Sequence, residues 1–214
     1  MTDVERWTFG EEPLPETVEL AGVVRDLLDT VLALEAPTDE LRSLAGELRA
    51  VQQRLAVHAA PDPWPRVGDD RRPDQRLYLD HSRDVGDYNP CFPRYEMEVH
   101  ESGAEGTVTF PVVYEGPPAI VHGGMLALFF DCAFQQINCD LGAAGKTRSL
   151  AIRYRRPAPI LTELQFRAER TTLDGRIEST GELLLGGELL CAAEMSAVLG
   201  ERANLPAVSP RRPS

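Results

Sequence analysis

Hydrophobic positions recur at two different periods along this chain, and the change falls near residue 91. In "ETVELAGVVRDLLDTVLALEA", residues 16–36, Val18, Ala21, Val24, Leu28, Val31 and Leu32 return at helical spacing. Pro37 ends that segment. "TDELRSLAGELRAVQQRLAVH", residues 38–58, restarts it with Thr38 placed as an N-cap and Leu41, Leu44, Leu48, Val51 and Leu55 as the apolar stripe. The pattern predicts an antiparallel helical hairpin over residues 1–60. A packing arm is the simplest use for it; a partner-docking element or a cap over another domain would read the same way.

Residues 61–90 lose the period and become rich in Pro, Asp and Arg, which predicts a linker or irregular arm. Trp64, Tyr78 and Leu79 are expected to anchor it, since a free linker rarely carries such side chains. Beyond it the texture alternates. "RYEMEVHESGAEGTVTFPVVYEG" reads as two strands with a turn near Ser102-Gly103, and the chain is then helical from about 123 to 140. "TRSLAIRYRRPAPI" alternates again, and the segment after it carries turn signals at Asp174-Gly175 and Gly186-Gly187, each between alternating runs. The order is strand, strand, one long helix, then about four strands. It predicts an α+β domain over residues 91–200, an antiparallel sheet of about six strands wrapped around that helix. Residues 201–214 read as a disordered tail.

Composition narrows the function. The 214 residues are 43% hydrophobic and 26% charged, ordinary for a globular protein, with a formal net charge of −12. That charge repels a phosphate backbone, so nucleic acid is not an expected partner. A small anionic molecule held by a few local arginines remains compatible with it. Cys91, Cys132, Cys139 and Cys191 form no CxxC pair and have no nearby His cluster, so neither a zinc site nor a disulfide framework is expected. The acidic start "MTDVERWTFGEEPLPE" lacks the basic-then-apolar order of a signal peptide, and no apolar run is long enough to span a membrane. A cytoplasmic protein is the expectation, with no metal or other cofactor.

The candidate chemistry lies in "VHGGMLALFFDCAFQ", residues 121–135. A helix starting at Gly123 offers backbone N–H groups with no intrahelical acceptor, at the positive end of the macrodipole. Without a side chain there, a substrate carbonyl approaches the backbone closely, which makes a usable oxyanion hole. His122, just before the helix, is placed to orient the site or polarise a carbonyl. The bland alternative is a tight entry into a buried helix. Asp131 stands among Leu126, Leu128, Phe129, Phe130, Ala133 and Phe134, where an ionised carboxylate is costly unless paired or used. It lies eight residues past Gly123, roughly 12 Å along the axis. Both therefore act on one carbonyl only if they come from different chains, which implies a two-fold dimer with two equivalent sites.

"YEGPPAIVHGGMLALFFD" followed by "KTRSLAIRYRRPAPI" resembles the hotdog-fold acyl-CoA thioesterases, in particular the PaaI-like branch and the human thioesterase superfamily members. The resemblance covers about residues 91–199 and rests on the HGG run, an Asp nine residues after the His, and a Y-x-R-P strand. It implies a hotdog fold, a homodimer or dimer of dimers, and hydrolysis of a fatty or aromatic acyl thioester. Carried over by position, Gly123 supplies the oxyanion N–H, with Gly124 beside it in substrate binding, and His122 helps hold the thioester carbonyl. Asp131 is the general base or nucleophile, and Thr147 positions the attacking water or the carboxylate. Of Arg153, Arg155 and Arg156, the latter two are the favoured contacts to coenzyme A phosphates. Some relatives carry Asn six residues before the His; here that position is Gly116. Two other readings stand beside hydrolysis: a non-catalytic acyl-CoA-binding or assembly protein, and an acyl-thioester hydratase or dehydratase.

Overall fold

The computed structural model describes residues 15–58, 85–140 and 145–199; Trp64, Tyr78, Leu79 and the C-terminal tail lie outside them. Two helices come first, α1 (Pro15–Leu32) and α2 (Asp39–Ala56). Thr38 caps α2 as its residue type predicts: it is extended, and its side chain accepts from the Leu41 N–H at 3.3 Å.

The two helices differ in what they cover. α1 buries Ala21, Gly22 and Arg25, and the Arg25 guanidinium reaches across to a short helix α3 (Val85–Tyr88) and the turn after it. Its Nε donates to Phe92 O at 3.1 Å, and its Nη2 donates to Gly86 O at 2.5 Å and Asn89 O at 3.0 Å. Burial and the neighbouring Arg94 lower the Arg25 pKa, but three carbonyls take the charge. α2 buries none of its residues.

The rest is one sheet and one helix. β1 (Tyr95–His100), β2 (Gly103–Thr109), β3 (Gly145–Tyr154), β4 (Glu163–Leu173), β5 (Arg176–Leu185) and β6 (Glu188–Leu199) form a six-stranded sheet in the order β1-β2-β4-β5-β6-β3. Every pairing is antiparallel. The two later hairpins turn where expected. Asp174 and Gly175 have φ of 51° and 74°, and Gly186 and Gly187 have 57° and 83°. Positive φ at both central residues is what a two-residue hairpin joining right-twisted strands requires.

The long helix α4 runs Gly123–Asp140 and lies against one face of the sheet. It buries Met125, Leu126, Phe129, Phe130, Ala133, Phe134 and Ile137 against Leu164, Phe166, Ile177 and Leu183 of the strands. Phe129 is the hub. Its ring packs edge-on against Phe110 at 5.6 Å and Phe166 at 5.2 Å, and stacks on Phe92 at 6.4 Å. Val85 belongs to this core beside Phe92, so the folded domain takes in a residue that looks like linker in the sequence. Cys139 is buried and Cys132 half-buried, as small packing residues on α4.

α4 is not buried all round. Gly124, Leu128, Asp131 and Gln135 share one side, at steps of 4, 3 and 4 residues, and all four keep solvent exposure. Leu128 is 46% exposed in the middle of an otherwise covered helix.

Candidate active site

The segment before α4 is tied down by its main chain. His122 N–H donates to Tyr114 O at 2.8 Å, and Val121 N–H donates to Ala158 O at 2.8 Å. Gly116 N–H donates to Ile120 O at 2.8 Å, closing the Gly-Pro-Pro loop on itself. That closure brings Gly116 against His122: a Cβ at 116 would lie 2.9 Å from His122 Cα. The glycine at this position is therefore required by close approach, and an Asn there would not fit this loop.

His122 is exposed, and its ring is fixed by the helix it precedes. Nδ1 accepts the Gly124 N–H at 3.0 Å. The imidazole proton of the neutral ring therefore sits on Nε2, which is left to donate outward. Gly124, one of the glycines expected to meet substrate, has its amide committed to this contact. No acceptor takes the Gly123 N–H among the described residues. Of the two glycine amides, Gly123's is the one left vacant among the described residues.

Tyr154, at the end of β3, closes the other side. Its hydroxyl donates to Gly123 O at 2.8 Å, and a Cβ at Gly123 would meet its ring at 3.0 Å. Nothing in the alternation of β3 marks Tyr154 for this; only its place in the Y-x-R-P run does.

Asp131 lies two turns along α4, half-buried on the open side. Thr147 Oγ1 donates to Asp131 Oδ1 at 2.9 Å, and Gln135 Nε2 donates to Thr147 Oγ1 at 2.8 Å. Since Gln135 fills an acceptor position on the hydroxyl, the Thr147 proton is directed at the carboxylate rather than at Met195 Sδ, 3.7 Å away. A bulge in β3 makes this possible. The register against β6 shifts between Thr147 and Ser149. Leu150 and Ile152 pack towards the core, so a regular strand would turn Thr147 to the opposite face. The extra residue, Arg148, re-aims Thr147 at α4. Gln135 was not singled out in the sequence, although its spacing of four from Asp131 puts it on the same helix face.

The structure brings Asp131 and Thr147 together, and separately His122, Gly123 and Gly124. It does not join the two groups within one chain. Among the arginines, Arg153 pairs with Glu194 and Arg156 Nε lies 2.9 Å from Glu188. The β3 ladder ends at Tyr154, and the Arg155 and Arg156 amides both donate to Leu190 O, at 2.8 and 3.0 Å. Arg155 is exposed and has no ion pair among the described residues.

No protein-family model matches the chain. Solved structures do. A thioesterase superfamily protein superposes with a TM-score of 0.72 over 92% of this chain and 98% of its own, at 26% identity. The chain has the hotdog thioesterase fold. Two other thioesterase-fold structures overlap less of it. A hypothetical thioesterase protein with coenzyme A from Streptococcus pneumoniae has TM-score 0.47 and 17% identity, covering 50% of this chain and 88% of its own. Thioesterase superfamily member 2 from Mus musculus has TM-score 0.46 and 16% identity, covering 50% and 82%. Among the described residues no helix of this hotdog chain is long and apolar enough to cross a membrane.

Proposed function

We propose that the protein hydrolyses acyl-CoA thioesters at a site shared by two copies of the chain. The observation that carries this reading is the Gln135–Thr147–Asp131 hydrogen-bond chain, standing on the open side of α4 while the Gly123 amide has no acceptor among the described residues. The likeness to a thioesterase superfamily protein over 92% of this chain supports the same chemistry.

A two-fold dimer supplies what one chain lacks. Gly123 and Asp131 are eight residues apart, roughly 12 Å along α4, too far to flank one carbonyl. Two α4 helices packed antiparallel on their open sides bring the Gly123 of one chain to the Asp131 of the other. Leu128, exposed between them, becomes the centre of that contact. β3 is a sheet edge with its outer ladder unpaired among the described residues, and an edge of this length favours pairing with a second chain.

In this arrangement Thr147 occupies Oδ1 of Asp131 and leaves Oδ2 for a water. The water oxygen attacks the thioester carbonyl carbon and Asp131 takes its proton. Charge on the former carbonyl oxygen is met by the Gly123 N–H and by the Nε2 proton of His122, and each such donor contributes about 3 kcal/mol. The carbon–sulfur bond then breaks, Asp131 returns the proton to the leaving sulfur, and coenzyme A departs as the thiol. Direct attack by the carboxylate, forming an anhydride that water opens, uses the same residues. Arg155 is the better placed of the two favoured arginines for coenzyme A phosphate, because Arg156 already pairs with Glu188.

The test is thiol release from a panel of aliphatic and aromatic acyl-CoAs by the wild type and by Asp131→Asn. Loss of two or more orders of magnitude in kcat is expected for the variant, the range of a lost general base. A variant that turns over at the wild-type rate removes Asp131 from the chemistry. A wild type that binds acyl-CoA and releases no thiol makes the protein a binder.

A further inference from the structure

The helix α2 is eighteen residues long and buries none of them. Most protein helices draw their stability from packing an amphipathic face rather than from propensity. Eight of the fourteen large apolar side chains left exposed among the described residues fall between Leu20 and Val57, so the uncovered surface belongs to the N-terminal helices rather than to the sheet. Leu48, Val51 and Leu55 are 46%, 38% and 55% exposed.

The spacing on α2 is specific. Leu41, Leu44, Leu48, Val51 and Leu55 follow one another at 3, 4, 3 and 4 residues. That is the heptad seam of a coiled coil, narrower than the stripe a helix shows to a globular core. With the leucines at 41, 48 and 55 as a positions, Glu40, Glu47 and Arg54 fall at g, and Ala45 and Gln52 at e. Glu40 and Arg54 have no ion pair among the described residues.

We infer that α2 pairs antiparallel with α2 of a second copy. Charge decides the direction. In a parallel pair g faces e, so Glu40 and Glu47 would meet Ala45 and Gln52 and gain nothing. In an antiparallel pair g faces g, and Glu40 meets the partner's Arg54, twice over by the two-fold axis. Asp39 and Glu40 in the first turn then lie beside a basic last turn, and the two macrodipoles oppose. Glu47 approaches its own copy near the axis, and there the Ser43 hydroxyl draws its carboxylate aside at 2.9 Å. Neither α2 nor its seam is part of the catalytic contact proposed above, so a chain that makes both contacts assembles as a dimer of dimers.

Sedimentation equilibrium of the full chain tests this, with thiol release measured alongside. The wild type is expected as a dimer of dimers and Leu48→Asp as a dimer with its rate per chain retained. Glu40→Arg or Arg54→Glu alone should weaken the assembly several-fold, and the double exchange should restore it. A wild-type dimer that becomes a monomer in Leu48→Asp upholds the α2 pairing and removes the α4 dimer instead. Leu48→Asp with the wild-type mass, as when residues 59–84 or an unrelated partner cover the stripe, overturns the inference. So does a double exchange that stays as weak as either single one.

Discussion

Thr147 reaches Asp131 from an edge strand, donating its hydroxyl to Oδ1 at 2.9 Å while Gln135 holds the hydroxyl from behind. A hydrogen bond to a charged group contributes about 1.5–3 kcal/mol, so Thr147→Ala is expected to lower kcat by roughly ten- to a hundredfold with little change in KM. Thr147→Ser keeps the hydroxyl and should keep most of the rate. Steady-state kinetics of the pair decides: an alanine variant at full rate, or a serine variant as slow as alanine, means the bond has no part in turnover.

Gly123 has Tyr154 directly over it. A methyl group at 123 would stand 3.0 Å from the ring, tighter than an ordinary contact, so the ring or the helix start has to give by a few tenths of an ångström. Where the Tyr154 ring is held by its bond to Gly123 O, the helix start gives instead and carries the vacant N–H with it. Gly123→Ala should therefore lose on the order of a hundredfold or more in kcat, the scale of one lost oxyanion donor. Adding Tyr154→Ala opens the space and should return part of the rate. A single variant as active as wild type would place the donor elsewhere.

Arg25 is the structural debt of the first helix. Replacing it with Met keeps much of the stem, leaves the Gly86 and Phe92 carbonyls without the Arg25 donor and leaves Asn89 O with only the Phe92 N–H. Loss of several kcal/mol of stability is expected, because buried acceptors are stranded. Urea unfolding measures it. A change below about 0.5 kcal/mol, the scale of an ordinary surface substitution, would mean that α1 is not fastened by this residue.

Asp29 shifts the other way. Burial first, and Asp26 next, raise its pKa above the ordinary 3.8, against the opposing pull of the Val112 amide and Arg25. A carboxyl whose folded pKa is raised holds its proton more tightly when folded. Its contribution to stability is therefore fullest below the ordinary carboxylate value and is lost as pH rises through the folded one. Asp29→Asn should unfold at a higher temperature than wild type at neutral pH, with the gap shrinking as the pH approaches 3.8. Thermal melts across that range check it; a gap independent of pH refutes the assignment.

Legibility in the sequence followed the range of the forces involved. α4 lies over Gly123–Asp140 as the apolar run predicts, and both two-residue hairpins turn at their Asp-Gly and Gly-Gly pairs, because these signals are local. The Thr38 cap was legible for the same reason. The bulge at Thr147 was not: "TRSLAIRY" alternates cleanly, and the shift appears only against β6. Nor was the reach of Arg25, whose partners lie 61 to 67 residues away. In a stripe of Val18, Ala21, Val24 and Leu28 an arginine reads as solvent-facing, and two of the three carbonyls that bury it, those of Gly86 and Asn89, belong to a stretch that reads as linker. The open side of α4 also escaped the pattern. Leu128 is as apolar as its buried neighbours, and hydrophobicity alone does not say which side of a helix the sheet leaves uncovered.

The contact of Gly116 with His122 Cα constrains how this loop can be re-engineered. Placing an Asn at position 116 is not a one-residue edit, since the incoming side chain would meet His122 Cα at 2.9 Å and crowd the imidazole that accepts the Gly124 N–H. Any such redesign has to lengthen or reroute the Gly-Pro-Pro loop first, and only then ask what the new amide does for catalysis.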